Sequence, residues 1–142
     1  MSAQVAQIAR DTMDAWTKKD VVAAGRPFFA DDAMVWLAAR DPDETSREHH
    51  GTTMPAKRWL ELLQKTVDQM PDQLTIIVHR LVADDSSAAA EVESRGELRD
   101  GRLYNMRYTF WFEIRSGLVH ELKQYFDTAY GQAFFLSLMS ER

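Results

Sequence analysis

Apolar residues in the first half of the chain recur mainly at helical spacing. One apolar stripe runs over residues 3–18, and a shorter one runs over residues 20–29. Residues 33–37 form a short apolar run that predicts a strand. A third helical stripe follows, and either Thr52 or Thr53 is expected to cap its N-terminus. The first half is therefore predicted to contain three helices and one strand.

The second half changes to the two-residue period of β-strands. Four strands are predicted, over residues 74–83, 88–98, 103–114 and 118–126. Asp100-Gly101 is a strong hairpin signal, and Asp127 is expected to cap a last helix over residues 128–139. The element order predicts an α+β fold in which an antiparallel sheet packs on helices. If that sheet curls, a conical pocket opens between sheet and helices, where a small molecule would bind.

Composition narrows the class of protein. The 142 residues are 45% hydrophobic and 27% charged, which predicts one globular domain over residues 1–142. The absence of cysteine excludes disulfides, thiol nucleophiles and Cys-ligated metals. A net charge of −5 argues against nucleic acid or anionic membrane as a partner. No membrane-spanning run or signal peptide is visible, so we expect a cytoplasmic protein.

Residues 40–50 hold almost no apolar side chain and predict a solvated loop that could close over a pocket. His49 and His50 are neighbours in this loop and would point apart, so no metal site is expected. His50 could swing over the pocket as an acid or base, or it could remain a solvated loop histidine. No glycine-rich phosphate loop occurs, and no cofactor is expected.

Two segments carry a resemblance to a known superfamily. Ala30-Asp31-Asp32-Ala33-Met34-Val35 is similar to the segment that opens the first strand in many SnoaL-like and ketosteroid-isomerase-like proteins. The segment from Gly117 to Asp127 resembles their last turn and strand. The resemblance implies the cone-shaped fold also called nuclear transport factor 2-like. It also implies a homodimer formed through the sheet, in which Trp36 and Trp111 on the outer side would be buried.

A closer local resemblance is to limonene epoxide hydrolases. Arg95-Gly96-Glu97 stands where that family carries Arg-x-Asp, but Gln124 stands where its last strand carries a catalytic carboxylate. The positions of the family's water-holding Tyr and Asn are Val35 and Leu37. Ketosteroid isomerases would need Asp at Leu37 and a tyrosine before Tyr104, and both are missing. Neither mechanism is therefore supported.

The resemblance turns Arg95 and Glu97 toward the interior of the cone. There Glu97 would move a proton, Arg95 would stabilise an oxyanion and Gln124 would hold a carbonyl or a water, although Arg95 and Glu97 could equally form a structural ion pair. Seven residues are expected to bind the substrate: Val35, Leu37, Trp59, Met106, Tyr108, Phe110 and Leu122.

The resulting hypothesis is a protein that binds a small hydrophobic molecule, of aromatic, terpenoid or polyketide-like type. It could catalyse cofactor-free isomerisation, cyclisation, dehydration or hydration. The alternative is a non-catalytic ligand-binding or dimerisation module of the same fold.

Overall fold

The computed structural model describes residues 2–39 and 51–140, with side chains described as far as Phe134. The helices are α1 (Ser2–Ala15), α2 (Val21–Gly25), α3 (Ala56–Val67) and α4 (Thr128–Ser140), and a 3₁₀ turn, Arg26–Phe28, follows α2. The strands are β1 (Phe29–Leu37), β2 (Thr52–Pro55), β3 (Thr75–Ala83), β4 (Ser87–Glu97), β5 (Leu103–Arg115) and β6 (Leu118–Phe126). The predicted α+β class is confirmed. None of the described helices is long and apolar enough to cross a membrane.

All six strands form one curled sheet in the order β2-β1-β6-β5-β4-β3. The β1–β6 pair is parallel and the other pairs are antiparallel. A tight turn at Ser116-Gly117, both at positive φ, joins β5 to β6, and a second turn at Asp100-Gly101 joins β4 to β5. Strands β2 and β3 remain at opposite edges, so the sheet does not close into a barrel.

Strand β2 was not expected from the sequence. It pairs with β1 through Leu37 opposite Thr52 and Met34 opposite Pro55. The predicted cap at Thr52 or Thr53 is therefore wrong, because both residues are in this strand. Pro55 explains the later start of α3: it has extended backbone angles and disfavours helical geometry in the residue before it.

The sheet has an inner face, which the helices cover, and an outer face. Trp16, directly after α1, lies on the inner face with a relative exposure of 1%. Its ring contacts those of Trp59, Phe110 and Phe112, with centroids 5.0, 5.0 and 6.3 Å away. These aromatic contacts join α1, α3 and β5 into one core and set the position of the inner face.

Candidate functional site

Strand β4 turns its charged residues to the outer face. Its buried positions are Ala88, Ala90, Val92, Ser94 and Gly96. Arg95 and Glu97 alternate with these residues and are exposed. The predicted inward orientation of Arg95 and Glu97 is therefore wrong. The physical reason is that burying these charges against an apolar core would be costly, whereas small residues allow close packing of the helices.

On the outer face, Arg95 belongs to a polar cluster centred on Glu93. Glu93 accepts a hydrogen bond from Asn105 Nδ2 at 2.9 Å and contacts His79 Nε2 at 3.0 Å. Arg95 Nη1 lies 3.5 Å and Arg107 Nη2 3.8 Å from its carboxylate oxygens. The hydrogen bonds from Asn105 and His79, supported by the two guanidinium groups, lower the pKa of Glu93 to about 2. Arg95 is thus engaged in an ion cluster on the surface of the sheet.

The residues expected to bind substrate lie on the inner face and belong to the hydrophobic core. Val35, Trp59, Met106, Phe110 and Leu122 are buried, and Leu37 and Tyr108 are partly buried. The location of the six strand residues follows from the two-residue alternation of β1, β5 and β6, and Trp59 packs on this face from α3. The location agrees with the expectation, while their role in binding remains a prediction.

Gln124 on β6 is the one predicted catalytic residue that faces the interior, with a relative exposure of 9%. Its side-chain oxygen accepts a 2.8 Å hydrogen bond from Trp59 Nε1 on α3. This bond fixes the orientation of the amide. The amide nitrogen finds no hydrogen-bond partner among the described residues. Gln124 therefore presents N–H donors inside an aromatic wall that contains Phe110, its neighbour across the sheet.

A second polar group lies on the inner face of β4 and β5. The hydroxyls of Tyr104 and Tyr108 form a hydrogen bond with each other. Burial raises the pKa of both, well above the ordinary value for Tyr108, so both remain neutral near pH 7. Nearby Ser94 is buried, and its Oγ has no hydrogen-bond partner among the described residues. The same is true of Trp16 Nε1.

The sequence interpretation missed Tyr104 and Ser94 as site residues. Tyr104 lies two residues before Met106, on the face already assigned to the interior, and Ser94 shares the buried face of β4. The alternation of both strands carried this signal, because it separates the small and aromatic positions from the charged ones.

Two cavities border the described part of the fold. One, of about 580 Å³, lies beside α2 and contacts Arg26, Phe29 and Leu118. The other, of about 510 Å³, lies where β6 ends and contacts the inner-face residues Met106 and Tyr108. Of the tyrosine pair, Tyr108 borders this second cavity, together with polar residues such as Asn105 and Arg107.

Asp127 and Tyr130 shape the rim of the second cavity. Asp127 Oδ1 accepts a 3.1 Å hydrogen bond from the Tyr130 amide, so Asp127 caps α4 as predicted. Tyr130 Oη lies 3.3 Å from the backbone nitrogen of Asn105 and 3.4 Å from the backbone oxygen of Leu103. The phenol thereby contacts backbone groups of β5 near the end where β6 no longer pairs with it.

The described interior is electrically neutral. Besides the Tyr104 hydroxyl and the indole N–H groups of Trp16 and Trp59, the buried polar side chains in the described part of the chain are Thr12, Thr66, Ser94 and Gln124. None is a carboxylate or an imidazole. The predicted loop over residues 40–50, with His49 and His50, lies outside the described residues. The described part of the site can therefore donate hydrogen bonds but offers no buried base.

The family of the chain follows from its sequence as a whole. The model of the SnoaL-like domain matches residues 9–122. The chain belongs to the SnoaL-like family. Solved structures with ketosteroid-isomerase-like and NTF2-like folds also match this SnoaL-like protein. No curated protein matches its sequence.

Three solved structures illustrate the similarity of fold. A loop-truncation variant of IdmH is 24% identical, with 89% of this chain and 95% of that chain covered and a TM-score of 0.69. A protein from Jannaschia sp. CCS1 that bears the name of a SnoaL-like polyketide cyclase is 9% identical. The match covers 93% of this chain and 91% of that chain, with a TM-score of 0.71. A LEH-like epoxide hydrolase from M. tuberculosis is 14% identical. The match covers 98% of this chain and 94% of that chain, with a TM-score of 0.66. At these identities the similarity shows the fold alone.

Proposed function

We propose that this SnoaL-like protein binds a small, uncharged hydrophobic molecule against the inner face of its sheet. The observation that carries the proposal is the Gln124 amide, which Trp59 holds by its oxygen and whose nitrogen has no partner among the described residues. A ligand that covers this donor without offering an acceptor would leave it desolvated and unpaired at a cost, whereas a ligand oxygen would accept its hydrogen bond. The ligand therefore carries a carbonyl or hydroxyl oxygen.

The rest of the ligand is apolar because the surrounding wall is apolar. Met106, Phe110 and Leu122 line the inner face and would bury hydrocarbon surface at roughly 25 cal/mol per Å². The absence of buried charge among the described residues disfavours a carboxylate or an amine. Terpenoid, aromatic and polyketide-like molecules with few oxygens fit these requirements.

Cofactor-free isomerisation, cyclisation, dehydration or hydration is a second candidate. The neutral phenols of Tyr104 and Tyr108 favour it, because such donors stabilise an oxyanion that develops during proton transfer. The names of the structural neighbours, a polyketide cyclase and an epoxide hydrolase, are compatible with such chemistry. Arg95 and Glu97 do not support it, because both lie on the outer face. Binding is therefore the preferred function.

The binding proposal is tested with two rigid molecules of matched shape, the hydrocarbon bornane and the ketone camphor. Titration is followed by intrinsic fluorescence, since Trp16 and Trp59 line the interior. Both molecules are expected to bind saturably, with camphor about tenfold tighter because it accepts one hydrogen bond. Gln124→Leu should remove that advantage, while Gln73→Leu, at an exposed glutamine, should retain it. Failure of both molecules to bind would overturn the proposal, and so would equal affinities.

We also propose that the outer face mediates a homodimer. Trp111 and Tyr125 are 42% and 45% exposed on neighbouring strands, and the rings of Trp36 and Tyr125 are in contact with centroids 5.0 Å apart. A second copy would bury this aromatic patch. Sedimentation velocity should show a dimer that Trp111→Glu converts to a monomer and that Ala3→Glu, on the exposed side of α1, leaves intact. A monomeric starting protein would refute the interface.

A further inference from the structure

We propose that the hydroxyls of Ser94, Tyr104 and Tyr108 form a second anchor, which binds the oxygen of an uncharged ketone or ester. The inference rests on the proposed binding function and makes its substrate class more specific. The ligand would be a hydrophobic molecule with two acceptor oxygens. Gln124 would bind one of them, and the three hydroxyls would bind the other, which is a carbonyl oxygen.

The three hydroxyls converge because of strand register. Tyr104 and Tyr108 lie four residues apart on the inner face of β5, on either side of Met106. Ser94 pairs with Met106 across the β4–β5 ladder and points to the same face. The tyrosine hydroxyls meet in a hydrogen bond, and the Ser94 hydroxyl is near enough to act against the rise in pKa that burial causes in both tyrosines.

The described structure uses only part of the donor capacity of this cluster. Three hydroxyls bring three donor protons, and the bond between Tyr104 and Tyr108 uses one of them. Ser94 Oγ is buried and has no partner among the described residues. The other two protons make no hydrogen bond in the described structure and are available to a ligand. A carbonyl oxygen has two lone pairs and can accept both, which is the arrangement of an oxyanion hole in its uncharged form.

The charge of the site selects a neutral acceptor. Burial keeps both phenols protonated, and no buried cation occurs among the described residues. A carboxylate bound here would be desolvated without a counter-charge, whereas a ketone or ester oxygen needs only donors.

Access to the cluster comes through the cavity of about 510 Å³ at the end of β6. Met106, Tyr108 and Phe126 border it together with polar residues that include Glu91, Asn105 and Arg107, so Tyr108 is the member of the cluster next to this opening. Gln124 lies nearby on the inner face, since it pairs with Phe110, two residues beyond Tyr108. Diagonal neighbours of this kind are about 7–8 Å apart, so one compact molecule can contact both anchors.

The test adds bornane-2,5-dione to the series of bornane and camphor. The dione is expected to bind about tenfold tighter than camphor, and Tyr108→Phe or Ser94→Ala should each abolish that gain. Infrared spectra of the bound dione should show a carbonyl band shifted to lower frequency in the unmodified protein and a smaller shift in Ser94→Ala. Camphor bound without a gain for the dione would overturn the second anchor alone. Failure of camphor and bornane to bind would overturn the proposed function as well.

A ligand-free measurement separates a binding role from a structural one. Replacing an unpartnered buried hydroxyl removes a cost, so Ser94→Ala should raise the Tm of the ligand-free protein by about 2 °C. Ser87→Ala is the matched control on the same strand, because Ser87 Oγ donates to Glu113 at 2.9 Å. It should not raise the Tm and should not affect dione binding. A lowered Tm for Ser94→Ala would show that its hydroxyl is already satisfied and would refute the assignment.

Discussion

The buried hydrogen bond between Trp59 and Gln124 allows a quantitative test of how the interior is built. Trp59→Phe would leave the Gln124 oxygen without its donor, and Gln124→Leu would leave the Trp59 N–H without its acceptor. Each change should lower the free energy of unfolding by about 1–3 kcal/mol, because each leaves one desolvated polar group. Trp59→Phe also weakens the edge contact with Trp16, whose centroid lies 5.0 Å away, by a further ~0.5–1.5 kcal/mol.

The double variant should lose much less free energy of unfolding than the two single variants lose in sum. With both polar groups gone, no orphan remains, so a coupling energy of about 2 kcal/mol is expected. Urea unfolding followed by far-ultraviolet circular dichroism, at one fixed protein concentration, measures it. The matched control is the exposed pair Gln7 and Asp11 on α1, also joined at 2.8 Å, for which coupling of about 0.5 kcal/mol or less is expected. Additive effects of Trp59→Phe and Gln124→Leu would refute the inference that Trp59 fixes the orientation of the Gln124 amide through a buried hydrogen bond.

Three further predictions concern the frame around the site. The pKa of Glu93 is lowered from 4.5 to about 2, so its contribution to stability is complete above about pH 4.5 and is lost as pH falls toward 2; the Tm difference between the unmodified protein and Glu93→Gln should shrink over that interval. Gly51→Ala should lower the free energy of unfolding, measured in urea, by about 2 kcal/mol, because φ is +73° and the added Cβ would lie 2.4 Å from the Leu37 oxygen. Gly101→Ala is the control: its added Cβ would have no atom within 4 Å, so it should lower the free energy of unfolding by only about 1 kcal/mol. Asp127→Ala should weaken α4 by about 1 kcal/mol and speed its hydrogen exchange, while Asp127→Asn retains protection; equal exchange in both variants would contradict the cap.

Long strands were predictable from the sequence because their alternation extends over many residues. Strand β6 begins and ends where the pattern places it, and β4 is displaced by one residue at each end. Strand β2 has four residues and contains a proline, so its pattern is too short to distinguish it from a helix start. Its extended conformation comes from pairing with β1, a contact that no local sequence pattern shows.

The orientation of β4 shows where a resemblance to a family can mislead. The match of Arg95-Gly96-Glu97 to a catalytic motif predicted that the charged side chains face the interior of the cone. The local alternation of small and charged residues indicated the outer face instead. The structure follows the local alternation, because register is set by which face can be buried. Applied consistently, the same rule would have predicted Ser94 and Tyr104 inside. No local pattern, however, could have predicted the bond between Trp59 and Gln124, whose partners are 65 residues apart.

The balance of donors and acceptors on the inner face bears directly on the choice between binding and acid–base catalysis. Proton transfer needs a group that accepts a proton near pH 7, and the described interior supplies donors instead: the Gln124 amide, the Ser94 hydroxyl and the neutral tyrosines. The Gln124 amide can orient an oxygen but cannot take up a proton near pH 7. Under the proposed function, a site of this composition would discriminate ligands by where their oxygens lie, because each donor left unmatched by a bound ligand is costly. Recognition of a neutral oxygenated molecule is therefore the function that we propose for these residues.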